Sequence, residues 1–273
     1  MDPSILEKRI REKAPLLGNS ASGQNWCLRA LHPAHPSGEF HGIPDKCCMP
    51  TVQLEFKMTF SIPQPVAPGP TYRAWLGVMP NVVAPMVCLS VNTDGTGVVD
   101  SWFSNPQITG ATIANKTDAW RANVASARLE YMSVTVFYDA PTLYDQGVKV
   151  AAQVGQSWNQ DNNATPPQYN WNGVLFTPES LVNYPLATQT PGREGAYMPI
   201  KLSQPTLPFL EQQLIIQYRP SFVLSAAETA RLPRMLDGMM GGILFSNISA
   251  QAQLRATIRM GVECLVSPGS LYT

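Results

Sequence analysis

A chain of 273 residues can bury a sizeable core as one large β domain or two small ones, and a hydrophobic share of 44% excludes a disordered chain. Only 14% of the residues are charged, against about 25% in an ordinary soluble domain, so the surface is either covered by partners or built from uncharged polar groups. The formal net charge of +0 excludes a strong basic field for nucleic acid and leaves little repulsion to oppose dense self-packing.

In chain order, residues 1–41 read as an N-terminal arm and extended lead-in. Ile5, Leu6 and Ile10 lie among charges in an amphipathic stretch, a helix or an arm that orders on assembly. From Asn19 to Pro50 the chain is rich in Gly, Pro and His and is expected to be extended. No secretory signal and no apolar run of membrane-spanning length is read here. Asn115, Asn163 and Asn247 open glycosylation-type triplets, which without a signal read as chance matches.

Val52–Ile62 alternates without a break: Leu54, Phe56, Met58, Phe60 and Ile62 fall on one face, with Glu55, Lys57, Thr59 and Ser61 on the other. Leu254–Val266 has the same period of two. Weaker strand signals cover Tyr72–Met79, Met86–Asn92, Arg128–Tyr138, Val148–Val154, Tyr197–Leu202, Leu214–Phe222 and Gly242–Ser246, several of them between turn signals such as Asp94-Gly-Thr-Gly97. Short helices are expected from Thr117, from Thr177 and over Ser225–Arg231, in long connections. The 25 prolines suit many turns and sheet edges. The fold class expected is an all-β, eight-stranded antiparallel jelly-roll β-sandwich with a few short helices in its loops, one domain over residues 42–266 and a short tail at 267–273.

Chemistry-bearing motifs are mostly missing. The phosphate-binding glycine loops, the H-E-x-x-H helix and the G-x-S-x-G elbow do not occur. Asp94-Gly-Thr-Gly97 departs from the aspartic-protease pattern and reads as a tight turn. The three histidines, His32, His35 and His41, crowd into the lead-in with Glu39, Cys47 and Cys48. Zinc could draw on that set, but adjacent Cys47 and Cys48 point to opposite sides of an extended chain. Cys27, Cys88 and Cys264 complete an odd set of five cysteines with no disulfide framework, and free thiols are expected. Asp139, Asp145 and Asp161 offer hard oxygen ligands, which makes calcium at subunit boundaries the candidate cofactor; Asp residues also satisfy their own turns. Lys8, Arg9, Arg11 and Lys13 form the one basic cluster and the candidate RNA contact, diluted by Glu7 and Glu12.

The order of elements carries a resemblance. Gly42-Ile-Pro-Asp45 leads into the first long strand. Arg128-Leu-Glu-Tyr-Met-Ser-Val-Thr-Val-Phe-Tyr-Asp139 and Asp145-Gln-Gly-Val-Lys-Val-Ala-Ala-Gln153 follow, and Gly242-Ile-Leu-Phe-Ser-Asn-Ile-Ser-Ala250 precedes the last. Over residues 42–266 this resembles the coat proteins of small icosahedral positive-strand RNA viruses of the nodavirus-like or tombusvirus-like single-jelly-roll kind. The resemblance implies a non-enzymatic capsid subunit, made in the host cytoplasm, that self-assembles in many copies into a virion enclosing an RNA genome, with no membrane partner. It also implies that the first and last strands are neighbours in one sheet, burying Phe56, Phe60, Ile258 and Val262. The weakly basic arm departs from the strongly basic one of many such proteins. The alternative is a carbohydrate- or protein-binding β-sandwich using Trp102, Trp158 and Trp171 as platforms. A hydrolase on a β scaffold is a third reading, for which no nucleophile–base pair is visible.

Overall fold

The computed structural model describes residues 3–13, 20–35, 43, 51–65, 69–80, 85–93, 101–103, 123–154, 158–161, 168–171, 181–201, 210–211 and 239–266. Two helices, α1 (Pro3–Lys13) and α2 (Ala21–Leu31), precede the strands. These are β1 (Thr51–Ile62), β2 (Thr71–Met79), β3 (Met86–Thr93), β4 (Ser101–Phe103), β5 (Val124–Asp139), β6 (Val148–Val154), β7 (Trp158–Asp161), β8 (Gln168–Trp171), β9 (Thr188–Pro191), β10 (Ala196–Ile200), β11 (Leu210–Glu211), β12 (Met240–Ser249) and β13 (Gln253–Val266).

One sheet has the order β1-β13-β5-β10, with β11 also on β5; the second runs β4-β3-β2-β12-β6-β9; β7 and β8 form a separate ribbon. All described pairs are antiparallel. If β3, β4, β11 and the ribbon are set aside, eight strands remain, four in each sheet. Numbered in chain order, their sheet orders are 1-8-3-6 and 2-7-4-5. That is the jelly roll, in which the chain passes from one sheet to the other after every strand except β6, which is followed by β9 in its own sheet. β3 and β4 extend the second sheet beyond β2.

The alternating patterns become the two faces of the first sheet. Met58, Phe60, Ile62, Ile258, Met260 and Val262 point inward, against Tyr72, Ala74, Leu76, Ile243 and Phe245 of the second sheet. β1 pairs with β13 from Thr51↔Leu265 to Ile62↔Leu254 without a break. Phe60, Ile258 and Val262 are buried as expected, while Phe56 is half-buried at the margin. Each large apolar side chain so covered contributes about 1.5–3 kcal/mol.

The two layers are also stitched by polar groups along one side. Gln153 of β6 donates from Nε2 to the Pro199 carbonyl at 2.8 Å and accepts from the Lys201 N–H at 2.8 Å, reaching across to β10 and its end. Lys149, on the same face of β6, donates to the Gly195 carbonyl. Gly195 has φ of 61°, and a Cβ there would run into the Val136 carbonyl oxygen, so the turn into β10 requires glycine. At Gly241 a Cβ would meet Met198 and Ile200, whose side chains fill the space between the layers.

Several expectations are revised. The lead-in is not extended throughout: Ala21–Leu31 is a helix, started by Ser20, whose side chain accepts from the Gly23 N–H at 3.2 Å. Glycine and serine in its first turn masked the signal. Eight of the nine expected strands are present, and the ninth, Leu214–Phe222, lies outside the described residues. The fifth of the eight jelly-roll strands, β9, Thr-Gln-Thr-Pro, is not among those expected, being too short and too polar to show a period. The expected helices from Thr117 and over Ser225–Arg231 also lie outside the described residues, and near Thr177 only a 3-10 turn at Leu181–Asn183 is described.

Candidate functional site

The outward face of the first sheet carries the densest polar chemistry. Arg128 of β5 stands opposite Glu263 of β13. Its Nε donates to Glu263 Oε2 at 2.8 Å, and both side chains are 4% exposed. The register then shifts: Leu129 pairs with Val262 and Tyr131 with Gly261, leaving Glu130 as the extra residue of a β-bulge. Glu130 is 1% exposed, and neither carboxylate oxygen has a hydrogen-bond partner among the described residues. Burial, then the neighbouring Glu263 charge, push its carboxyl up to about 8, with the Arg128 guanidinium opposing.

The N-terminal segment packs on this face. Arg29 of α2 lies 3.9 Å from Glu55 and 5.8 Å from the centre of the Tyr131 ring, and donates to the Pro33 carbonyl at 3.1 Å. His32 stacks on Tyr197 of β10 at 4.9 Å, and the Ile43 N–H donates to Glu263 Oε2 at 3.2 Å. Burial lowers the His32 pKa and raises those of Tyr131 and Tyr197, the last to about 12.

The predicted site residues are only partly brought together. Lys8, Arg9, Arg11 and Lys13 all lie on α1. Arg11 Nε donates to Glu7 at 2.9 Å, and Lys8 is 4.0 Å from Glu12, so two of the four cations have intrahelical acidic neighbours. Arg11 and Lys13 also sit in the last turn, where cations complement the helix dipole. Of the calcium set, Asp139 is exposed at the end of β5, Asp145 lies 3.8 Å from Arg193, and the side chain of Asp161 is outside the described ones. Among the described residues no group of three or more His, Cys, Asp or Glu could hold a metal ion. His32 and His35 meet edge to face at 5.7 Å, with His35 3.7 Å from Glu7; His41, Glu39, Cys47 and Cys48 are outside the described residues. Cys27 and Cys264 are free, and burial raises both thiol pKa values. Trp158 and Trp171 are register partners in the β7–β8 ribbon. No helix among the described residues is long and apolar enough to cross a membrane.

Sequence reasoning placed Arg128, Glu130 and Glu263 in strands but gave them no role. The adjacent Tyr131-Met132 breaks the alternation of Arg128–Tyr138 and marks the irregularity in the strand, but the burial of Glu130 follows only from the register against β13.

No protein-family model and no curated protein sequence matches the chain. Among solved structures it is similar to the 60-mer BFDV capsid protein, at 12% identity and a TM-score of 0.35 over 82% of this chain and 98% of that one. It is similar to Desmodium yellow mottle tymovirus at 11% identity and a TM-score of 0.33, covering 86% and 99% of the two chains. Cocksfoot mottle virus is matched at 10% identity and a TM-score of 0.25, over 87% and 97%.

Proposed function

We propose that the chain is the capsid subunit of a small icosahedral RNA virus, a structural protein that assembles in many copies into a shell around the genome, with residues 42–266 as the shell domain and 1–41 as an arm. A jelly roll serves capsids, lectins and cupins alike, so the fold narrows the choice without making it. The observation that carries the reading is the placement of apolar side chains on loops at both ends of the sandwich. Leu143 is 86% exposed in the loop that feeds β6, and Leu186 is 60% exposed before β9. The register Ala151↔Thr188 to Val148↔Pro191 puts these two loops at opposite ends of β6. A surface with so few charges and apolar tips at both ends suits end-to-end contacts between copies, which close into rings when the rotation permits.

The genome would meet the arm through Lys8, Arg9, Arg11 and Lys13. With so few cations the attachment is shallow in its salt dependence, since each phosphate neutralised adds about 0.9 to the logarithmic salt slope. Negative-stain microscopy of the purified full chain, with nuclease-protected RNA extracted from the same fractions, tests both parts. Closed particles of uniform diameter support the shell, and protected RNA supports packaging. A protein that stays monomeric over a broad range of salt and pH overturns the assignment.

A further inference from the structure

Glu130 is a carboxyl group that the fold buries at a bulge and leaves without a hydrogen-bond partner among the described residues. Arg128 on its own strand and Glu263 on β13 act on Glu130 directly; Glu130 in turn acts on Tyr131 and Cys264, and Tyr131 is faced by Glu55 of β1 and Arg29 of α2. Arg128 is the partner of Glu263, and Glu263 in turn accepts from the backbone of Ile43. The cluster therefore joins the sheet to the segment that covers it.

We propose that Arg128, Glu130 and Glu263 form a proton-operated latch, which holds residues 21–35 and Ile43 against the outward face of the first sheet while Glu130 keeps its proton and frees them when the proton is lost. The step is a simple ionisation, in which the carboxyl proton leaves to solvent and a second carboxylate appears beside Glu263. One guanidinium then serves two anions in a site closed to water. The new charge demands hydration. β5 and β13 cannot part to admit water, because they are locked by a ladder running from Gln253↔Asp139 to Val266↔Val124. The N-terminal segment has no such ladder to the sheet among the described residues; its contacts include the Ile43 hydrogen bond, the His32–Tyr197 stack, a hydrogen bond between Tyr197 and the Ala34 backbone, and the Arg29 contacts. It is the part that lifts.

Burial and Glu263 set the pH of release near that of the Glu130 carboxyl, at about 8. Hydrogen exchange read by mass spectrometry on the full chain, in steps from about pH 6 to about pH 9 and corrected for the intrinsic pH dependence of exchange, tests the latch. Amides of residues 21–31 and 43 are expected to lose protection severalfold with a midpoint near 8, while those of β13 stay protected. Glu130→Gln is expected to keep residues 21–31 protected throughout. Unchanged protection of that segment across the wild-type series overturns the proposal, and that series stands alone should the variant fail to fold. Release of the Glu130→Gln segment at the wild-type midpoint overturns it equally.

Discussion

Arg128 and Glu263 face each other across β5 and β13, and their ion pair, with Nε to Oε2 at 2.8 Å, is almost closed to solvent. Two charges taken out of water this completely are held more by the penalty of separating them than by their own attraction.

That asymmetry gives the first prediction. Arg128→Met leaves Glu263 buried beside Glu130 with no cation, and is expected to cost about 3–5 kcal/mol. Replacing both partners, Arg128→Met with Glu263→Leu, is expected to recover most of the loss, since the uncompensated charge is gone. Urea unfolding midpoints of the two variants and wild type measure the difference. A double variant as unstable as the single one contradicts this account.

Glu130 makes stability depend on pH in a stated direction. Its ordinary value is 4.5 and its folded value about 8. Below the ordinary value both folded and unfolded chains hold the proton, and the group contributes nothing to the pH dependence. Between the two values the unfolded chain releases a proton that the folded chain keeps, so stability falls as pH rises, and it levels off above the folded value. Melting temperatures measured from about pH 5 to about pH 9 are expected to fall for wild type relative to Glu130→Gln, with the gap growing up to about pH 8 and then constant.

Gly195 takes a backbone conformation, φ 61° and ψ −160°, that is nearly exclusive to glycine. Gly195→Ala is expected to cost about 1–3 kcal/mol from that conformation, more if the Val136 carbonyl has to move. Differential scanning calorimetry reads this directly, and an unchanged melting temperature would show that the turn has another conformation.

The two faces of the first sheet should answer differently to truncation. Ile258→Ala empties a fully buried position and is expected to cost about 2–5 kcal/mol. Thr59, hydrogen-bonded to Thr257 at 3.1 Å on the exposed face, is expected to lose no more than about 0.5 kcal/mol as Thr59→Ala. Chemical denaturation of both variants checks the assignment of faces.

The sandwich was legible in the sequence wherever one strand face is buried and the other wet, because such strands alternate strictly. β1 and β13 show this best, and their pairing across the sheet follows the expectation. β9 could not be read, since four residues of mixed polarity at a sheet edge carry no period. α2 was hidden by Ser22 and Gly23 in its first turn and by the prolines that follow it. The polar cluster was invisible for a different reason. Nothing local says that Glu130 is buried; that depends on a register shift against Gly261 and Val262, more than a hundred residues away. The basic residues of α1 were found by composition, but their pairing with Glu7 and Glu12 needed the helical spacing.

β13 has a further consequence for how the molecule is made. It lies between β1 and β5, so a central strand of the first sheet is supplied by residues 253–266. Thr59 has to wait for Thr257, 198 positions later, before it has its neighbour. On the ribosome β1 emerges long before β13 and stays unmatched until that strand follows, an apolar-faced ribbon with nothing to zip against. A nascent chain therefore cannot complete the first sheet before β13 is released, which keeps half-made chains from adopting the shape that finished ones share.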